Sequence, residues 1–180
     1  MPSIDLAFLL TLKDDITQYH CFIETGTYNG DTTFSIEPYF NTVYTIEFSE
    51  KYYRNTKNRY NGNKIQFILG DSSIVFNTLL PTLTDRCIFF LDGHWSCGDT
   101  GRSEKDCPLV EEITHINNLF RNDAIIIIDD YRVFGTDTWQ NINKEHLLSI
   151  LEKRITNMYH LDSECAKDDR LIIHIKKISE

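Results

Sequence analysis

Glu24, Gly26, Gly30 and Glu47 are the first residues of this chain whose types and spacing could do chemistry. They lie in Cys21-Phe-Ile-Glu-Thr-Gly-Thr-Tyr-Asn-Gly-Asp-Thr-Thr33 and in Val43-Tyr-Thr-Ile-Glu47. The pattern combines a buried strand, a glycine turn, a helix start and an acid closing the next apolar run. A carboxylate at that second strand end offers two acceptor oxygens to the two hydroxyls of a ribose. Lys64-Ile-Gln-Phe-Ile-Leu-Gly-Asp71-Ser72 repeats the strand-then-acid arrangement, where Asp71 and Ser72 could hydrogen-bond an adenine amino group. The plain alternative is that either residue caps the following helix, which both types favour.

A dinucleotide fingerprint needs a middle glycine so that backbone can approach a pyrophosphate. Tyr28 occupies that place, and Glu24 adds negative charge that an anion would meet unfavourably. A ligand bearing an ammonium and a sulfonium suits the turn better, and S-adenosylmethionine (SAM) carries both together with a ribose for Glu47. Thr27, Tyr28 and Phe48, next to the turn and the acid, complete the candidate cofactor-binding set with Glu24, Gly26, Gly30, Glu47, Asp71, Ser72 and Asp92. Otherwise the two glycines merely allow a tight turn and Glu47 is a solvated strand-end acid.

A second group follows further along. Phe89-Phe-Leu-Asp92-Gly-His94 places a carboxylate and an imidazole at the end of a fourth strand, and Ile125-Ile-Ile-Ile-Asp129-Asp130 places two acids at the end of a fifth. Neighbouring parallel strands finish at one edge, so Asp92, Asp129 and Asp130 are expected to share a mouth. Like charges there repel and raise their pKa values unless a cation compensates. All-oxygen ligation favours magnesium, with manganese or calcium as options.

In order and spacing, Glu-x-Gly-x-x-x-Gly, the strand-end Glu47, Gly70-Asp71 and Leu91-Asp-Gly-His94 resemble the class I SAM-dependent methyltransferases over about residues 21 to 131. The acid cluster is similar to that of the metal-dependent small-molecule O-methyltransferases of the catechol and macrocin types. That resemblance implies Asp92, Asp129 and Asp130 as metal ligands that also hold the acceptor, and His94, with Asp92, as catalytic. An imidazole titrating near neutrality suits proton removal from a hydroxyl. A structural histidine and water-facing acids are the bland alternatives. The implied acceptor is a small polar molecule, a sugar among the candidates. Against that resemblance the chain is expected to lack the extra N-terminal segment by which many relatives shape their acceptor pocket or assemble, and a homodimer is among the expected states.

These residues need a scaffold. Short runs rich in Ile, Val and Phe, without polar alternation, predict parallel strands buried on both faces near 21–26, 42–48, 65–70, 87–92 and 124–129. Helical stretches near 30–39, 49–60, 72–80, 108–120 and 143–155 alternate with them. The fold class is therefore α/β, a Rossmann-like doubly wound, mostly parallel sheet. Residues 158–164 and 171–175 predict a closing antiparallel hairpin, and apolar residues from Ile4 to Ile16 predict a leader helix over one sheet face. The expectation is one domain over residues 1–180. The segments 95–107 and 132–142 are long loops, the first offering Asp99, Arg102 and Lys105 as a polar lid.

Composition narrows the partners. A net charge of −9 argues against nucleic acid, whose binding rests chiefly on phosphate neutralisation. Lys51, Arg54, Lys57, Arg59 and Lys64 with interleaved tyrosines form a local exception that reads most simply as a solvated helix face. No apolar run is long enough to span a bilayer and the first residues lack a signal peptide's basic flank, so a soluble cytoplasmic protein is expected. Five cysteines without a Cys-x-x-Cys pair point to reduced thiols, over a zinc site at His94, Cys97 and Cys107 or a Cys97–Cys107 disulfide. Two rival functions remain: a SAM or nucleoside sensor without turnover, and a nicotinamide-dependent oxidoreductase, against which Tyr28 counts.

Overall fold

The central strands are built from runs that only a sheet covered on both sides can hide. Cys21–Thr25 (β1), Cys87–Leu91 (β4) and Ala124–Ile128 (β5) are buried at every residue. Between and after them run Thr42–Glu47 (β2), Ile65–Leu69 (β3), Ile155–Leu161 (β6) and Arg170–Ile175 (β7). The computed structural model describes residues 3–93, 107–139 and 141–178.

The seven strands form one sheet in the order β3-β2-β1-β4-β5-β7-β6. β1 to β5 are mutually parallel, whereas β7 pairs antiparallel with both β5 and β6. The expected mostly parallel sheet with an antiparallel close is thus present. Winding proceeds outward from β1 in one direction and from β4 in the other, so the order reverses between them. The carboxyl ends of β1 and β4 therefore flank the switch point, where open α/β sheets hold their ligands.

Helices cover both faces. Leu6–Leu9 (α1), Asp31–Ile36 (α2), Glu50–Lys57 (α3), Ser72–Leu79 (α4), Leu109–Leu119 (α5) and Lys144–Leu151 (α6) are the α-helical segments. On one face Ile23, Phe89 and Ile126 pack with Phe76 of α4, Ile113 of α5 and Leu147 of α6. On the other, Phe22, Ile88 and Ile125 pack with Ile4, Leu9 and Ile36. Alternate residues of one strand thus feed two separate cores.

Three expectations need correction. The leader helix over 4–16 is a single turn, α1, followed by a 3₁₀ turn at Ile16–Gln18 whose N-cap is Asp15. Side chains of Asp14 and Asp15 take nearby backbone N–H groups, offering the chain an alternative to a continuous helix. Ile4, Leu9 and Leu12 are still buried, so the segment covers the sheet without the regular helix. The last helix ends at Leu151, not 155, because Arg154 turns inward. Its guanidinium donates to the carbonyls of Ile116, Asn117, Asn122 and Lys176, joining the end of α5 to the start of the hairpin. The hairpin accordingly begins at Ile155. The proposed lid, with Asp99, Arg102, Lys105 and Cys97, lies outside the described residues, as does His94. Among the described residues, no helix is long and apolar enough to cross a membrane.

Candidate functional site

The turn after β1 is held in conformations that side chains disfavour. Gly26, Tyr28 and Gly30 all have positive φ, at +86°, +47° and +75°. For glycine this is cheap, but for a bulky tyrosine it is an outlier of the kind that clusters at functional sites. A Cβ added to Gly26 would lie 2.4 Å from the carbonyl oxygen of Asp92, so backbone from the ends of β1 and β4 meets at the switch point. Gly30 opens α2, and a Cβ there would meet Thr56 Cγ2 at 2.4 Å.

The two acids assigned to the ligand are already engaged, each differently. Glu24 is 1% exposed, and its Oε2 accepts hydrogen bonds from the hydroxyls of Thr33 and, at 2.6 Å, Thr45. Thr27 joins the same cluster through a 2.5 Å contact with Thr45. Burial pushes the Glu24 carboxyl up to about 7, and the negative charge of Glu47 adds to this while the two hydroxyls oppose it. Glu24 is therefore a proton-holding acid beneath the turn. Glu47 accepts from the backbone N–H of Tyr28 at 2.8 Å and of Ser49 at 2.7 Å, one at each oxygen. A carboxylate has about four lone-pair sites, so two remain after these bonds. The strained Tyr28 backbone is what delivers one of them. Beside this acid the rings of Tyr28 and Phe48 are 50% and 45% exposed, apolar surface on which a base or sugar could rest.

Asp71 works as a cap. It precedes α4, and its Oδ1 accepts from the Ser73 N–H at 2.9 Å and hydroxyl at 2.6 Å. Asp71→Ala should lower stability by about 1 kcal/mol in urea denaturation. Ser72 is buried beside Glu112, an acid of the first turn of α5 with no signature of its own in the sequence. Glu112 is 1% exposed, and burial pushes it up to about 7 against the pull of the Ser72 and Thr25 hydroxyls.

The ends of β4 and β5 form the expected acidic mouth, with a different cast. Burial raises Asp92 well above the usual carboxylate range, with Asp129, Asp130 and Glu24 adding repulsion and Arg170 opposing them. Ligand atoms of Asp129, Asp130 and Asp169 lie within 4.8 Å of one another, a set of three that excludes Asp92. Each is met by an arginine: Arg170 Nε is 3.2 Å from Asp129, and Arg132 Nη1 is 2.5 Å from Asp130 and also bonded to Asp169. Arg132 and Arg170 thus offset part of the repulsion that called for a metal ion in the sequence, while burial still holds the Asp129 carboxyl above its ordinary value. The three acids whose ligand atoms gather are Asp129, Asp130 and Asp169, without Asp92, and each is already paired with a guanidinium that competes with a divalent ion.

Asp169, Arg170, Arg132 and Glu112 were missed for one reason. Tertiary pairing decides each role: β7 beside β5 brings in Asp169 and Arg170, α5 over β1 and β4 brings in Glu112, and Arg132, only two residues from Asp130, becomes a bridge once Asp169 is beside it. An Asp-Arg pair opening a strand was the only local signal, and it is common.

No protein-family model and no curated protein sequence matches the chain. Solved structures do match. The O-methyltransferase TomG from Streptomyces achromogenes, in complex with SAM, superposes over 91% of this chain and 75% of its own, with a TM-score of 0.60 at 15% identity. An rRNA methylase from Streptococcus thermophilus covers 90% of this chain and 89% of its own, at TM-score 0.53 and 14% identity. The N-methyltransferase NodS from Bradyrhizobium japonicum, bound to S-adenosyl-L-homocysteine (SAH), covers 88% and 78% at TM-score 0.54 and 11% identity. At such identities the likeness is one of architecture. With its 3-2-1-4-5-7-6 strand order, the chain has the Rossmann-like fold of the class I SAM-dependent methyltransferases.

Proposed function

We propose that this protein is a SAM-dependent methyltransferase acting on a hydroxyl of a small polar acceptor, a sugar among the candidates. The observation that carries the reading is the contact of Gly26 with the Asp92–Gly93 backbone at the switch point, ringed by Glu24, Glu47 and Asp92. A cationic guest is favoured there over an anion, because it can displace the protons that burial holds on Glu24 and Asp92 and pair with the carboxylates left behind.

SAM supplies a methyl group on a sulfonium whose departure as a neutral thioether drives the transfer. The protein's own task is alignment and proton removal. Glu47 offers its two remaining lone-pair sites to ribose hydroxyls, with Tyr28 and Phe48 flanking it. A cation over the turn draws the pKa values of Glu24 and Asp92 down, so that Asp92 becomes a carboxylate able to take the acceptor proton. His94, which follows Asp92 by two residues, is the second candidate for that proton. No step is assigned to a metal ion.

Calorimetric titration with SAM, SAH and NADH tests the reading. Saturable SAM and SAH binding that NADH does not displace is expected, followed by methylated product in a screen of hydroxylated acceptors. Binding of NADH alone would reject it. EDTA is expected to leave both the SAH affinity and the thermal midpoint unchanged. A midpoint raised by several degrees on adding magnesium would restore the metal. The rRNA methylase likeness raises a nucleic-acid acceptor as a second reading, which the net charge of −9 disfavours.

A further inference from the structure

Glu112 is a buried carboxyl to which methyl transfer, as described above, gives no task. Neither its Oε1 nor Thr25 Oγ1 at the end of β1 has a partner at full hydrogen-bond geometry, although the two residues are 1% and 0% exposed and the Thr25 and Ser72 hydroxyls stand near enough to the carboxyl to pull on its proton. Both face one point. A Cβ on Gly93 would lie 3.0 Å from Thr25 Oγ1 and 3.5 Å from Glu112 Oε1. Ser72, the first residue of α4, stands beside the same carboxyl. β1, α4 and α5 therefore converge under the turn that follows β4, on the α4/α5 side of the switch point.

A buried acceptor without a donor costs more than an ordinary hydrogen bond returns, and folded proteins keep few of them. The cleft that Glu112 lines with Gly93, Pro108 and Trp139 has room for roughly one water-sized group. Its guest thus presents a single small donor, not a whole ring. An exocyclic amino group fits that description: it is neutral, carries two N–H donors and projects from a flat base. Asp71, the acid placed nearest to such a group in the sequence, spends its Oδ1 on the N–H and hydroxyl of Ser73 as the cap of α4.

We propose that Glu112 Oε1 accepts a hydrogen bond from the 6-amino group of the adenine of the bound methyl donor, with the Thr25 hydroxyl beside it, so that Glu112 selects adenine over other purines. This inference rests on the SAM reading above. Oε1 can accept in either protonation state of the carboxyl and accepts more strongly once it is ionised, so the comparison is made at pH 8, above the value of about 7 to which burial pushes Glu112.

The experiment compares SAH with its analogue in which purine replaces adenine, deleting only the 6-amino group, by calorimetry on the whole chain. The wild-type protein is expected to bind SAH about 10- to 100-fold more tightly than the analogue. Glu112→Met should bring that ratio close to one while circular dichroism shows the same fold. If Glu112→Met does not fold, the near-isosteric Glu112→Gln is read instead, and the ratio should fall by about threefold or more, since a neutral amide oxygen accepts more weakly than a charged one. A wild-type ratio near one, or a ratio that persists in the variants, overturns the assignment and leaves the SAM reading standing. Failure of SAH to bind the wild-type protein overturns both.

Discussion

Gly26→Ala is expected to destabilise the protein by roughly 2–5 kcal/mol and to weaken SAH binding by about a hundredfold. Two costs combine. The residue has φ +86°, which an alanine adopts only with strain, and the new methyl carbon would stand 2.4 Å from the Asp92 carbonyl oxygen and 2.9 Å from its carbon. Neither atom is the tip of a flexible side chain, so the turn after β1 or the end of β4 must move. Either movement displaces groups at the switch point, where a shift near an ångström costs about two orders of magnitude in a well-aligned site. Gly135 is the control. Its φ is +72° with nothing within 4 Å of an added Cβ, so Gly135→Ala should cost only about 1 kcal/mol of backbone strain and leave SAH affinity alone. Urea denaturation and calorimetry on the two variants check this. Equal effects would mean that the Gly26 contact has no special standing.

Stability is expected to fall as the pH rises from about 5 to about 8, the reverse of a protein held by ionised carboxylates. Glu24 and Glu112 ordinarily titrate at 4.5, and burial pushes both up to about 7. Between those values the folded state binds protons that the unfolded chain has released. Their contribution is complete below the unfolded value and is lost as pH climbs through the folded one, at roughly 3 kcal/mol per carboxyl. Asp92 acts in the same direction. His174 opposes them, because burial holds its pKa below 6.5 and its contribution fades as pH falls past that value. Asp14 and Asp15, lowered from 3.8, act only under more acid conditions. Urea denaturation at the two pH values checks the sign, and Glu24→Gln or Glu112→Gln should flatten the dependence by its own share. A wild-type protein more stable at the higher pH would show that these carboxyls are ionised in the fold.

The strands were legible because their cause is local. A run such as Ala124–Ile128 has no polar face, and only a central strand between two cores can accept it. The glycine turn was legible too, since Gly26 and Gly30 occupy left-handed positions that the turn requires. The leader helix misled because apolar spacing near 3.6 residues is shared by a helix and by a short turn whose irregular continuation still buries Ile4, Leu9 and Leu12.

Charge was where sequence alone fell short. Three acids at two strand ends are visible in Asp92, Asp129 and Asp130, but which cations face them depends on residues remote in the chain. Arg170 reaches Asp129 because β7 inserts antiparallel beside β5, and Arg132 bridges Asp130 to Asp169. The amino-acid order by itself determined which strands are buried, where the chain turns and which acids gather at one rim. Only the tertiary structure decided which of those acids are neutralised by arginine, which are protonated by burial, and that Glu112 joins them. Periodicity and turn chemistry act between neighbours in sequence, whereas desolvation and Coulomb interaction depend on distances in space.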